Sequence, residues 1–204
     1  MVYLPTFHEE RLLLAQGLKI VAGVDEAGCG CWAGPVYAAA IILPLNSRLR
    51  LIRDSKKLSL KQRETTVAQF IEKKYVWAVG TATSQEIDTL NIRRAGALAM
   101  LRAIQALSIK PEYVLSDAFK IPGLDIPCKN IIRGDRNVKS IAAASIIAKM
   151  ERDRHMLKMD ERYPEYGFAK HKGYGTKQHQ LALKKFGLSP IHRLSYQPIK
   201  NFLK

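Results

Sequence analysis

The stretch Ala22–Pro35 reads A-G-V-D-E-A-G-C-G-C-W-A-G-P, and its flanks decide how it folds. Lys19–Val24 leads in as an apolar, β-prone segment, and Pro35–Leu43 follows as a second apolar run. Asp25 and Glu26 thus stand as adjacent carboxylates at the end of a buried strand, just before a glycine-rich turn. Burying unpaired charge is expensive, so a strand that ends in Asp-Glu needs a cation there or an exit into solvent. A divalent ion such as Mg²⁺ meets that need, because it takes oxygen ligands and only a few of them from protein.

Outward from this turn, Val21–Val24 and Val36–Leu43 read as consecutive strands, and Asp54–Lys57 as a polar loop. Ser59 and Gln62 form a capping-box pattern that opens a helix through about Lys74. Tyr75–Val79 reads as a strand, and Asn91 as the cap of a helix through about Leu107. Tyr113–Leu115 is a buried strand ending at Ser116-Asp117, and Asn130–Ile132 a short one ending at Gly134-Asp135. Val138–Arg154 is helical and rich in Ala and Ile, Tyr163–Gly175 is a loop, and Gln178–Phe186 is a last short helix. The order β-β-α-β-α-β-β-α predicts an α/β fold: a mixed sheet flanked by helices, with a helical C-terminal portion.

The chain has 204 residues and 47% hydrophobic content, enough for a real core in one large domain or one domain with an added subdomain. Its formal charge is +15, and from Lys129 onward 17 basic residues face 6 acidic ones. A basic C-terminal third suggests a polyanion partner, most often nucleic acid. Met1–Gln16 carries His8, Glu9, Glu10 and Arg11, unlike a signal peptide, and no apolar run reaches membrane-spanning length. The expectation is a cytoplasmic monomer with reduced thiols at Cys29, Cys31 and Cys128. Cys29-x-Cys31 lacks a second Cys/His pair at zinc spacing.

Asp117 and Asp135 also follow strands, and in open α/β sheets sites form at the carboxyl ends of strands. Asp25, Glu26, Asp117 and Asp135 could therefore converge. Such a cluster suits two divalent metals clamping the attacking and leaving oxygens of a phosphodiester. Helix capping is the rival reading, most seriously for Asp135. Asp54 and Asp125 sit in loops and are left out of the site.

The sequence resembles the bacterial ribonuclease HII family. The resemblance is carried by V-D-E-A-G-x-G at 24–30, A-G-P-V at 33–36, D-S-K-K-L at 54–58, S-D-A at 116–118 and G-D at 134–135. It continues through S-I-A-A-A-S-I-I-A-K at 140–149, R-D-R at 152–154, Y-P-x-Y-G-F at 163–168, H-K-G-Y-G-T at 171–176 and H-R-x-S at 192–195. It spans roughly residues 18–198. It implies a ribonuclease H-like fold, with a catalytic domain over 1–198 whose basic helical portion covers about 136–198, and a tail at 199–204. It implies Mg²⁺- or Mn²⁺-dependent cleavage of RNA in RNA–DNA hybrids, and incision on the 5′ side of ribonucleotides embedded in duplex DNA. The family's four catalytic carboxylates carry over onto Asp25, Glu26, Asp117 and Asp135. Only about 18 residues precede the first strand, whereas the sister ribonuclease HIII carries an extra N-terminal domain.

The resemblance further implies that the turn Gly28-Cys29-Gly30 approaches the ribonucleotide through its backbone. It implies that Tyr174 stacks on the deoxyribose beyond the ribonucleotide; without the family, a turn aromatic between two glycines is the plainer reading. Cys29 departs from the family's basic residue, and Cys31-Trp32 from its Pro and aliphatic pair. Lys56 is a candidate phosphate contact, with a solvated loop as its rival. His171 and His192 read as structural rather than as bases. The competing functions are another metal nuclease of the same superfold and a non-catalytic hybrid-binding protein.

Overall fold

The computed structural model describes residues 4–202 apart from 48, 50 and 119. Its centre is a five-stranded mixed sheet of β1 (Val21–Ala27), β2 (Val36–Ile42), β3 (Val76–Ala82), β4 (Tyr113–Asp117) and β5 (Cys128–Ile131), in the order β3-β2-β1-β4-β5. The β1–β2 and β2–β3 pairs are antiparallel, whereas β4 lies parallel to both β1 and β5. The parallel register pairs Val24 with Ser116. Asp25 and Asp117 are the next residues on those two strands, so the sheet itself brings them to one edge.

The helices are α1 (His8–Ala15), α2 (Leu60–Glu72), α3 (Ser84–Leu90), α4 (Ile92–Gln105), α5 (Gly134–Asn137), α6 (Lys139–Arg162), α7 (Phe168–His171), α8 (Lys177–Phe186) and α9 (Gln197–Lys200). Two faces of the sheet need cover, and two alanine-rich helices supply it. On one face Ala142, Ala143, Ala144, Ile146 and Ile147 of α6 pack with Ile41 and with Val67 and Phe70 of α2. On the other, Ala95, Ala99, Met100 and Ala103 of α4 pack over Val24, Ala38 and Ala40. The small residues let the backbones come close: a Cβ at Gly23 would sit 2.3 Å from the Ser140 carbonyl carbon, and one at Gly80 would sit 2.2 Å from the Ala99 oxygen.

The expected caps form. Gln62 N–H donates to Ser59 Oγ at 3.2 Å and the Gln62 side chain accepts from Ser59 N–H at 2.9 Å, while Asn91 Oδ1 accepts from the amides of Arg93 and Arg94. Elsewhere the boundaries move. β3 runs on to Ala82, β5 starts at Cys128, and α6 extends to Arg162, well past the expected end at Arg154. The expected loop over 163–175 contains a 3-10 turn at Pro164–Tyr166 and the one-turn helix α7. Helices α1 and α3 are additions to the expected order. So is α9, which crosses residue 198 and buries Ile199 against a cluster containing Phe168 and Leu183. Residues 203 and 204 of the expected tail lie outside the described residues.

Candidate active site

The glycine-rich turn after β1 is held from behind by two buried arginines. Arg152 of α6 donates to the carbonyls of Pro35 (3.1 Å), Ala33 (3.1 Å) and Lys172 (2.9 Å). Arg193 donates to Gly34 O at 2.9 Å and Cys29 O at 3.1 Å. Gly28 has φ +101°, and a Cβ there would lie 2.0 Å from Arg152 Nε, so only glycine fits. Neither guanidinium is paired with a carboxylate among the described residues. Both therefore leave their positive charge behind the turn.

In front of it lies a cleft of about 310 Å³. Every residue expected in the site lines this one cleft: Asp25, Glu26, Asp117 and Asp135, the turn Gly28-Cys29-Gly30, Lys56 and Tyr174. Asp25, only 4% exposed, accepts the Glu26 N–H at 2.8 Å. Asp117 Oδ1 accepts the Gly134 N–H at 2.7 Å, which ties the end of β4 to the start of α5 and so to Asp135. Cys29 Sγ donates to Glu26 Oε1 at 3.4 Å, while Glu26 Oε2 is buried and meets no donor.

The electrostatics follow from this crowding. Burial, then the charges of Glu26 and Asp117, hold the Asp25 carboxyl well above the usual carboxylate range. Burial also raises Glu26, against the opposing hydrogen bond from Cys29. Asp117 and Asp135 are raised by burial as well; the Gly134 amide opposes this most at Asp117, and Lys56 opposes it at both. Asp54, left out of the expected site, is buried nearby and adds a further negative charge that raises Asp135. Asp125 instead pairs with Lys110 on the surface at 3.4 Å.

Four carboxyls pushed toward their neutral forms, with one buried oxygen unmet, make a site short of positive charge. Hard oxygen donors of this kind fit Mg²⁺ or Mn²⁺. Among the described residues no three Asp, Glu, His or Cys side chains form a ready-made metal shell. Ions held there would complete their coordination with water or phosphate oxygens, as Mg²⁺ commonly does.

Sequence reasoning does not single out Ser55 or Ser145, and leaves Lys149 and Arg152 open between substrate contacts and cations suited to a helix end. Ser145 faces Asp25 and shares a 2.9 Å hydrogen bond with Ser55, which also lines the cleft. Lys149 lines the cleft and pairs with Asp153 at 2.7 Å. Ser145, Lys149 and Arg152 share one face of α6 at the i, i+4, i+7 spacing, which is the signal that could have found them. Tyr174 is 39% exposed, with Lys149 Nζ 5.6 Å and Arg152 Cζ 6.0 Å from its ring centre. Burial, then the neighbouring Cys31, holds its phenol up at about 12. His171 and His192 are buried behind the Tyr174 loop, away from the carboxylates. No helix among the described residues is long and apolar enough to cross a membrane.

Residues 22–199 match the family profile of Ribonuclease HII. A ribonuclease HII of Desulfitobacterium hafniense is 50% identical over 195 residues, covering 96% of this chain and 75% of its own. One of Coxiella burnetii is 51% identical over 181 residues, covering 89% of this chain and 90% of its own. Among solved structures, ribonuclease H2 of Pyrococcus horikoshii superposes with a TM-score of 0.75 at 26% identity, over 90% of this chain and 97% of that one. The ribonuclease HII of Archaeoglobus fulgidus, solved in complex with PCNA, gives 0.72 at 25% identity, over 91% and 97%. Bst-RNase HIII in complex with Mn²⁺ shares the fold at a TM-score of 0.67 and 18% identity, over 94% and 72%. The chain belongs to the ribonuclease HII family, divalent-metal-dependent ribonuclease H endonucleases that act on RNA–DNA hybrids.

Proposed function

We propose that this enzyme cuts RNA–DNA hybrids and also incises duplex DNA on the 5′ side of an embedded ribonucleotide, leaving 3′-hydroxyl and 5′-phosphate ends. Asp25, Glu26, Asp117 and Asp135 are its catalytic residues and hold two divalent ions, Mg²⁺ or Mn²⁺. One observation carries the reading: these four raised carboxyls, with the unmet Glu26 oxygen, share one cleft with the Gly28–Gly30 turn and Tyr174.

When bound, two such ions supply the charge that makes an attacking water more acidic and stabilises the departing 3′-oxygen. The protein's own groups do the rest. The Gly134 amide and the Ser145 hydroxyl fix the orientation of Asp117 and Asp25. The backbone of Gly28–Gly30, with Arg152 and Arg193 behind it, offers a strand close approach and a positive field. A protein tells RNA from DNA by the 2′-hydroxyl, and this turn is where it is read. Tyr174 covers the next sugar, where a ring fits against deoxyribose, and Lys56 steadies a phosphate at the cleft's edge. The protein works as a cytoplasmic monomer.

The test is a duplex with one internal ribonucleotide, beside a long hybrid, each incubated with Mg²⁺, with Mn²⁺ and with chelator, and the cut position mapped. Metal-dependent cutting on the 5′ side of the ribonucleotide is expected. Cleavage of the hybrid alone would remove the ribonucleotide-incision part of the reading.

A further inference from the structure

Three histidines lie buried directly behind the Tyr174 loop: His179 fully, His192 at 2% exposure and His171 at 7%. They sit in an apolar cluster with Tyr166, Phe168 and Leu183. The rings of His171 and His179 stack at 4.5 Å. Among the described residues none of the three has a carboxylate partner. A polar chain in such a place is costly unless every link is satisfied, and here every link is.

The direction of the chain is fixed at the Tyr174 end, where a carbonyl can only accept. At the other end His192 Nδ1 lies 2.8 Å from both the Ser189 N–H and its hydroxyl and 3.2 Å from its carbonyl, and the closer N–H agrees with that direction. The Ser189 N–H can only donate, and it meets His192 Nδ1 at 2.8 Å. His192 therefore carries its proton on Nε2. That N–H donates to His179 Nε2 at 3.0 Å. His179 then carries its proton on Nδ1, which faces the Tyr174 carbonyl at 3.0 Å, an atom that can only accept. Each neutral imidazole has one donor and one acceptor nitrogen, so one assignment satisfies the whole chain. Protonating His179 would set two N–H groups against each other at the 3.0 Å link, and protonating His192 would set a new Nδ1–H against the Ser189 N–H. Burial holds both His179 and His192 down at about 4, which keeps them neutral near pH 7.

His171 secures the same loop one residue earlier, its Nδ1 accepting the Gly173 N–H at 3.2 Å and its Nε2 donating to Tyr166 O at 2.9 Å. Trp32 closes the other side. Its N–H donates to Gly173 O at 2.8 Å, and its ring lies so close to Gly175 that a Cβ there would sit 2.1 Å away. The peptide that follows Tyr174 is thus set by His179 through its carbonyl and by Trp32 through Gly175, while the Tyr174 ring alone faces the cleft.

We propose that His179 is a positioning residue for Tyr174, and that the neutral relay Ser189–His192–His179 sets the enzyme's preference for a ribonucleotide junction over a continuous hybrid. This rests on the reading of Tyr174 as the junction sensor. The relay touches no substrate and carries no proton in the reaction.

The experiment compares initial rates on the one-ribonucleotide duplex and on a long hybrid for the parent, His179→Leu, His179→Asn, Tyr174→Ala and the double variant Tyr174→Ala/His179→Leu. His179→Leu should lower the ratio of the two rates about tenfold. His179→Asn, whose amide N–H can still reach the Tyr174 carbonyl, should recover most of it. The double variant should lose no more of the ratio than Tyr174→Ala alone, since contacting residues acting through one group are non-additive. An unchanged ratio in His179→Leu, a loss that adds in full to that of Tyr174→Ala, or no recovery in His179→Asn overturns the relay while leaving Tyr174's role intact. If Tyr174→Ala itself leaves the ratio unchanged, the junction reading falls and the relay falls with it. Should His179→Leu fail to fold, the parent alone still decides. Nitrogen-15 spectra of its imidazoles should give the Nδ1–H tautomer for His179 and Nε2–H for His192 and His171, and the reverse at His179 overturns the proposal.

Discussion

The Cys29 thiol donates to Glu26 Oε1 across 3.4 Å and packs against the core beneath α4. The position where the family resemblance leads one to expect a basic side chain is therefore occupied by a small group turned onto a carboxylate. An arginine cannot take the thiol's place in that packing, so in Cys29→Arg the guanidinium should swing out to the cleft mouth. A charge-assisted phosphate contact is worth about 1.5–3 kcal/mol at best and less when exposed, so substrate affinity in Ca²⁺ should rise about three- to tenfold. The Mn²⁺ concentration for half-maximal cleavage should stay put. Unchanged affinity with a raised Mn²⁺ requirement would mean that the guanidinium has paired with Glu26 instead.

Asp117→Asn keeps the acceptor for the Gly134 amide but removes one negative charge. Metal-dependent cleavage should fall at least about a hundredfold, the scale of several kcal/mol of lost transition-state stabilisation. Stability should move the other way in chelator. Burial holds Asp117 above the carboxylate range, so its ionised form opposes folding at neutral pH and is relieved only as pH falls through its folded value. The variant mimics the relieved state and should melt higher than the parent without metal. It should also gain less from added Mn²⁺. Near-parental cleavage by the folded variant would take Asp117 out of the site.

The carboxylate cluster was legible in the sequence because each member ends or shortly follows a strand, Asp135 from the first turn of α5, and strand ends are marked locally by an apolar run breaking into Asp or Gly. The parallel pairing of β1 with β4 then turns sequence position into neighbourhood. What resisted reading depends on contacts distant in sequence. Helix α1 has no strong local signal, yet Glu10 is 4% exposed and accepts the Ser140 N–H at 2.9 Å, capping α6 from 130 residues away. Helix α3 carries a capping box, Thr83 with Glu86, whose signal T-S-Q-E is local and legible. Arg152 looks like an ordinary cation near the end of a helix, and only the folded chain turns it inward onto three carbonyls. Nothing local in the sequence marks the histidine relay, since its members are brought together by α7, α8 and the turn at Ser189.

Acid should loosen that relay. Burial places His179 and His192 at about 4, against about 6.5 for an unfolded histidine. Groups with depressed folded values contribute stability that is complete above about pH 6.5 and is lost as pH falls through the window toward about 4. The cleft carboxyls act with the opposite sign, because their raised values favour the folded state as pH falls. Melting temperatures in chelator, taken between pH 7 and pH 4, separate the two. His179→Asn/His192→Gln should lose less on acidification than the parent. An equal or greater acid loss in the variant would mean that these rings do not control the slope.

On the proposed reading, substrate choice turns on Tyr174. It is 39% exposed, faces Lys149 and Arg152, and hangs from a loop anchored behind by histidines. Its ring contributes little to the core, so Tyr174→Ala should melt close to the parent. Stacking of an aromatic on a nucleotide is worth roughly 1–3 kcal/mol. Realised in the transition state, that is about ten- to a hundredfold in rate. Incision at a single ribonucleotide should fall by that factor, and cleavage of a long hybrid by less. Tyr174→Phe separates stacking from the hydroxyl. Burial, then the neighbouring Cys31, holds the hydroxyl protonated at about 12, so at working pH it carries no charge of its own. Tyr174→Phe should therefore keep most of the activity, and Cys31→Ala should do the same. Initial rates on both substrates, measured beside thermal melts, decide the matter. Parental incision by Tyr174→Ala would place junction sensing elsewhere. A melt far below the parent's would make the tyrosine a structural residue of its loop.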